Sequence, residues 1–210
     1  MYELFILGEL MDYPMHGYLV HTTLKNVLGP AYQISWGALY PLLRRLERDG
    51  LIATGTDDGG TDATAGTEGA DDAGGGRGRP RKLYHITPAG RERFAALMVE
   101  PDEYTPAYPD LVRVKMINFD RVTRVQQLAI LSHYRTFVQL AHDHAGANQR
   151  RVRANLSIPK AERENIVRMQ EYRRHMTAAD LAWIDAEIVR IEGEDGQGAV
   201  AAAAAPAHDA

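Results

Sequence analysis

Cysteine is absent from all 210 residues of this chain. That removes a disulfide framework, a thiolate metal site and a cysteine nucleophile together. Long apolar runs are absent as well. The run Leu4–Leu7 is short and has no basic flank before it, unlike a signal peptide. No stretch approaches the ~20 apolar residues that a membrane span needs. The chain also contains no phosphate-binding glycine loop, no GxSxG elbow and no HExxH zinc motif. Isolated Glu and Asp residues on helices read as surface charge rather than as acid–base pairs. The expectation is a soluble, cytoplasmic protein with no membrane partner, no cofactor and no enzymatic chemistry.

What is present is ordinary in bulk and uneven in detail. Hydrophobic residues make up 45% and charged residues 25%, a globular composition. The net charge of −4 argues against a polyanionic partner only if the charge is spread evenly. It is not. Asp57, Asp58, Asp62, Glu68, Asp71 and Asp72 lie in a stretch without Lys or Arg, and Arg77, Arg79, Arg81 and Lys82 follow at once. The acidic block hides the basic one in the sum.

Apolar spacing predicts a helix over residues 3–11, broken at Asp12-Tyr13-Pro14, and a second over Met15–Leu28, stopped by Gly29-Pro30. A third helix is predicted from an N-cap at Ser35, with Leu39, Leu42, Leu43 and Leu46 inward and Gly50 at its end. Pro41 breaks a rule by falling in its second turn, four residues after Gly37. Either the pair sets a bend or Pro41 marks a later helix start. Leu51–Thr54 and Arg81–Thr87 read as two antiparallel strands joined by a stretch of Gly, Asp, Thr and Ala. Residues 55–79 have almost nothing to bury, so disorder is expected there. Thr87-Pro88 starts another helix. The order helix, helix, turn, helix, strand, wing, strand, helix is that of a winged helix-turn-helix over residues 1–100.

Residues 101–110, with three prolines and two tyrosines within PDEYTPAYP, read as a linker. Helices are then expected at Leu111–Phe119, Val122 to about Ala145, and about Lys160 to Ile191. Ile166, Met169, Tyr172, Met176, Ala179 and Trp183 recur at steps of three and four, the seam spacing of paired helices. Leu128, Leu131, Tyr134, Phe137 and Val138 also need cover. A small domain cannot shield all of this alone, so a two-fold partner is expected over residues 111–192. Met176 and Trp183 could instead line an effector pocket, but a stripe at helical spacing is more often core. His142-Asp143-His144 does not read as a metal site, because residues two apart on a helix do not share a face. Residues 193–210 are low in complexity and are expected to be disordered.

The expected fold class is therefore mainly α with a small β-hairpin. Such a fold reads double-stranded DNA with the first turns of its recognition helix and places wing cations beside the phosphates. The candidate DNA contacts are Ser35, Trp36, Gly37, Tyr40 and Arg44 on the helix, and Arg77, Arg79, Arg81 and Lys82 on the wing. The competing expectation is a protein-interaction adaptor that uses the winged helix only as a scaffold.

Three segments carry a family resemblance: PMHGY at Pro14–Tyr18, ISWGALYPLLRRLERDGLI at Ile34–Ile52 and GRPRKLYHITPAGRERF at Gly78–Phe94. Together they resemble the PadR-type transcriptional regulators. The helical second half is similar in pattern to the C-terminal region of that family's larger subgroup. The resemblance implies a homodimer, most often a repressor, on a near-palindromic operator, with Tyr40 and the wing cations at the DNA. Small aromatic effectors are known for some relatives, and nothing in this sequence selects one. The departure is the stretch Thr56–Gly76, since the family's wing is usually short. Either it is an acidic tether that weakens DNA binding by competing for the basic tip, or it is a neutral insertion in a tolerant loop, the reading we favour.

The wing assignment has a direct test. Replacing Arg79 and Arg81 together by Ala should weaken binding to every DNA sequence by a similar factor and flatten the salt dependence by about two phosphate contacts. Fluorescence anisotropy over a salt series measures both. Unchanged affinity and slope would remove the wing from the interface.

Overall fold

The computed structural model describes residues 1–29, 34–56 and 82–203. The expected fold class is borne out: the chain is mainly helical with one small antiparallel sheet. It divides into two compact units, one of residues 1–100 with 113–118 and the other of 101–112 with 119–210.

The first unit is built around α1 (Tyr2–Glu9), whose Leu4, Phe5, Ile6 and Leu7 are all buried. A helix that is apolar on every side has to be central. α2 (Gly17–Leu28) contributes Val20 and Leu24 to the core, and α3 (Trp36–Arg48) contributes Leu39, Leu43 and Leu46. α4 (Pro88–Val99) adds Phe94 and Met98. Glu3 fastens three helices at the surface, accepting from Arg45 at 2.8 Å and Arg93 at 2.9 Å. Lys115 is buried and donates to the Glu100 carbonyl at 2.9 Å.

The sheet has the order β1-β3-β2, all antiparallel. β2 (Ile52–Thr56) and β3 (Lys82–Ile86) are the predicted hairpin, with β2 running two residues past Thr54 into the segment expected to be disordered. The rest of that segment lies outside the described residues. β1 (Met15–His16) is a correction. These two residues, expected at the start of a helix, pair instead with Tyr84 and Leu83. Met15 is fully buried, and Pro14 disfavours helical backbone at Tyr13 just before them. The helix therefore begins at Gly17.

The join between α3 and α4 centres on one carbonyl. Gly50 ends α3 at φ +73°, a conformation that suits glycine. Leu51 O then accepts from Thr87 N at 3.1 Å, and the Thr87 hydroxyl donates to Gly50 O at 2.6 Å with Leu51 O 3.0 Å away. Thr87 also caps α4 by accepting from Gly90 N at 3.0 Å, with Pro88 at the first helical position.

The second unit is a helical hairpin. α5 (Tyr108–Ile117) starts three residues before its predicted position at Leu111 and belongs to this unit through residue 112. A 3₁₀ turn at Phe119–Arg121 precedes α6 (Arg124–Ala154), which opens with a full capping box between Thr123 and Gln126. α6 runs nine residues beyond the expected end near Ala145, since neither Gly nor Pro stands between 147 and 158. α7 (Lys160–Ala203) returns antiparallel to it. Arg135–Asp185 at 2.6 Å, His142 Nδ1–Thr177 Oγ1 at 2.9 Å and Gln149 Nε2–Glu171 Oε1 at 2.9 Å mark the register. α7 continues to Ala203 through residues expected to be disordered. The alanines from Ala199 onward have the highest helix propensity of any residue, which offsets the cost of the glycines before them. Residues 204–210 lie outside the described residues.

The stretch read as a linker is docked rather than bare. Tyr108 is 3% exposed and shares a hydrogen bond with His133 Nδ1 at 2.6 Å. Tyr104 donates to the His133 carbonyl at 3.2 Å. Burial, then the nearby Asp102 carboxylate, pushes the Tyr108 phenol well above its ordinary range. Phe137 and Tyr134 complete the ring cluster.

Gly90 provides a stability test. A Cβ there would sit 2.0 Å from Leu51 O, a backbone atom that cannot swing aside. Gly90→Ala should cost at least about 2 kcal/mol, despite alanine's better helix propensity. Urea unfolding followed by circular dichroism reads the loss. A neutral or stabilising result would mean that the α3–α4 join is looser than described.

Candidate nucleic-acid interface

The first turns of α3 project an exposed edge from the first unit. Ser35 precedes the helix in extended backbone at φ −67°, ψ 152°, but its side chain makes no capping hydrogen bond. The expected N-cap is thus correct in position and not in bonding. The exposed hydroxyl is left facing solvent. Gly37 is exposed and bare, so a groove wall could approach its backbone closely. α3 runs unbroken from Trp36 to Arg48 with Pro41 inside it, which removes the alternative of a later helix start. The proline's missing donor falls opposite Gly37 O, on the exposed side where water can replace it.

Trp36 is held by its neighbours. Its ring stacks on His21 with centroids 4.0 Å apart and planes within 20°. Tyr18 stacks on it at 6.1 Å and Tyr40 at 5.7 Å. His21 is itself fixed, since its Nε2 lies 2.9 Å from the Ile34 carbonyl and must carry the proton there. The result is a half-exposed aromatic wall made from two helices. Tyr18, at 67% exposed, is its outermost ring. Sequence reading missed Tyr18 and His21. A signal existed in their three-residue spacing on α2, but the partner ring on α3 is visible only in three dimensions.

Gly17 makes room for this arrangement, because a Cβ there would meet Tyr40 Cε1 at 3.3 Å. Beneath it lies Tyr84, 3% exposed. Its phenol is raised above the usual range by burial first, then by Glu47 and Tyr40, with Arg44 acting in the opposite sense.

The three arginines of α3 differ in use. Arg45 is bound to Glu3, and Arg48 lies 3.5 Å from Asp49. Arg44 is exposed and forms no ion pair with the described residues. At the wing's base Lys82 is exposed and 3.6 Å from Glu47, which also accepts from Thr54 Oγ1 at 2.6 Å. The lysine is thus partly engaged within the chain. Arg77, Arg79 and Arg81 lie outside the described residues.

The residues expected to mediate dimerisation fall into two groups within the second unit. Leu131 is fully buried in the single chain, so its burial needs no second copy. Leu128 and Phe137 are half-buried, Phe137 against Tyr104, Tyr108 and Tyr134. Met169, Tyr172, Met176 and Trp183 are 42%, 65%, 50% and 50% exposed. The buried positions of α7 among the described residues are instead Gln170, Ile184 and Ile191. The predicted seam is therefore a separate apolar stripe that the single chain leaves uncovered.

Residues 6–64 match the model of the transcriptional regulator PadR-like family. Over this region, rather less than a third of its length, the chain is similar to that family. That model describes a family of transcriptional regulators. No curated protein matches it. Among solved structures it is similar to Bacillus subtilis PadR in complex with operator DNA, at 16% identity over 90% of this chain and 96% of that one, with a TM-score of 0.38. It is also similar to a PadR family transcriptional regulator from Eggerthella lenta, at 28% identity over 45% and 66%, with a TM-score of 0.32. A third is the Vibrio cholerae virulence activator AphA, at 14% identity over 92% and 99%, with a TM-score of 0.36. None of the helices among the described residues is long and apolar enough to cross a membrane.

Proposed function

We propose that the chain is a dimeric, sequence-specific DNA-binding repressor. The winged-helix region is residues 1–100, and the dimerisation region is helical, within 111–192. The observation that carries the DNA reading is the exposed edge of α3, where Ser35, Gly37, Tyr40 and Arg44 stand clear of the core inside a PadR-like region. Ser and Arg can donate to base edges in a major groove, and Tyr hydroxyls suit phosphates. Trp36 acts as a positioning residue in this reading, since its ring is committed to the stack with His21. Tyr18 adds a hydroxyl beside Tyr40 on the same wall. The wing cations Arg77, Arg79, Arg81 and Lys82 are assigned to the DNA phosphates in this reading, with Lys82 weakened in this role by Glu47.

Dimerisation is supported by the uncovered stripe on α7. Four large apolar side chains at steps of three, four and seven make the seam that a second copy would cover. A two-fold pair would present two recognition helices to half-sites about 34 Å apart. Repression, and its relief by a small aromatic effector, rest on the family resemblance alone.

Two measurements test this. Against an operator selected from random DNA, Arg44→Ala should lose about tenfold or more and relax the preference at one base pair. Tyr18→Phe should weaken all sequences by a few-fold without changing preference. A loss of preference in Tyr18→Phe would make it a base reader instead. In sedimentation equilibrium Trp183→Glu should shift the mass towards monomer while helix content stays the same. A dimer unaffected by Glu at both Met176 and Trp183 would place the interface elsewhere.

A further inference from the structure

The turn end of the α6–α7 hairpin holds a feature that neither DNA reading nor dimerisation uses. An open cleft of about 290 Å³ is lined by Arg153, Arg163, Glu164, Val167, Arg168 and Glu171. We propose that this cleft binds a small oxyanion, a ligand bearing carboxylate or phosphate oxygens, and so forms a ligand site on the helical unit.

The argument begins with which charges are already answered. Glu171 accepts from Arg153 Nη2 at 2.7 Å and from Gln149 Nε2 at 2.9 Å. Glu164 lies 3.9 Å from Lys160, one turn earlier on α7. Both carboxylates of the cleft therefore have cationic partners within the chain. The cations exceed them. Arg163 is half-buried and spends one nitrogen on two long bonds, to Asn155 O at 3.3 Å and Ile158 O at 3.4 Å. Arg168 is exposed and makes no hydrogen bond or ion pair with the described residues. Four cations counting Lys160, against two carboxylates, leave two positive charges around one concavity.

Next comes order. The turn is fixed by Asn155 Oδ1, which accepts from Ser157 N at 3.1 Å and Ser157 Oγ at 2.6 Å. Arg163 is held against that turn, so part of the entropy of ordering it is lost before any ligand arrives. Guanidinium groups match the paired oxygens of carboxylate and phosphate in a bidentate fork. Val167 adds a small apolar floor. The volume sits at the lower end of small-molecule sites, which run from about 300 Å³ upward. The shape also selects against a nucleic-acid backbone. A phosphate chain crossing this concavity would pass both Glu164 and Glu171, whereas a compact anion can sit among the arginines. This reading does not depend on the DNA assignment.

The test is isothermal titration of the full chain with pyrophosphate and, separately, with citrate, at constant ionic strength set by sodium chloride. One saturable site per chain is expected for at least one of them. Binding of pyrophosphate alone points to phosphate ligands, of citrate alone to carboxylates, and of both to the shared oxygen geometry. Arg168→Ala should weaken the site about tenfold, as loss of a charge-assisted bidentate contact does. Arg168→Lys should fall between, keeping the charge and losing the fork. Arg173→Ala removes the same charge from an exposed position on α7 outside the cleft and should leave binding unchanged. No saturable heat with either anion would overturn the proposal. So would equal weakening by Arg168→Ala and Arg173→Ala, which would mean a diffuse surface charge.

Discussion

The backbone oxygen of Leu51 sets where α3 can stand. It takes the amide of Thr87, whose hydroxyl donates to the adjacent Gly50 O, and leaves no space for anything larger than hydrogen on Gly90. Three elements meet at that atom: the end of α3, the start of β2 and the start of α4. The join is tight because each partner is local and directional, so few alternative geometries satisfy it. The hairpin that leads to the wing leaves from the same place. Helix and wing are thus placed by one hydrogen-bonded corner rather than by a broad apolar contact.

Glu47 refines that placement. It sits on α3, accepts from Thr54 on β2 and lies near Lys82 on β3. An exposed ion pair of this kind contributes little to stability, about 0–1 kcal/mol. Its effect is on direction. It holds the first wing cation back towards the helix, and it raises the Tyr84 phenol further within the core beneath. The aromatic wall of Tyr18, Trp36 and Tyr40, with Arg44 one turn further along α3, is the DNA-facing side in our reading.

Much of this was legible in the sequence, and the failures have physical reasons. The leucines of α3 and the Thr87-Pro88 start were readable because helical spacing and capping are local. Pro41 was not decidable from sequence, since its cost depends on whether the carbonyl four residues back faces solvent. β1 was missed because two residues carry no period; Met15 and His16 become a strand only when β3 is beside them. The Pro101–Pro109 stretch looked like a linker because proline masked two tyrosines that pack on α6. On α7 the opposite happened. The step-of-three-and-four pattern was read correctly as a face, but two such faces share the helix. Sequence could not say that Gln170, Ile184 and Ile191 would take the side within the chain. The arginine cleft was invisible because Arg153 and Arg163 are brought together by a turn, not by spacing.

The chain contains two tryptophans, and the fold gives one to each unit. Trp36 lies flat against the His21 ring, while Trp183 stands half in solvent with no ring stacked on it among the described residues. The intrinsic emission is therefore a sum of two optical probes with different surroundings. Self-association through the α7 stripe should blue-shift the second without touching the first. The protein carries its own means of telling, without any attached label, which of its two halves an added molecule has reached.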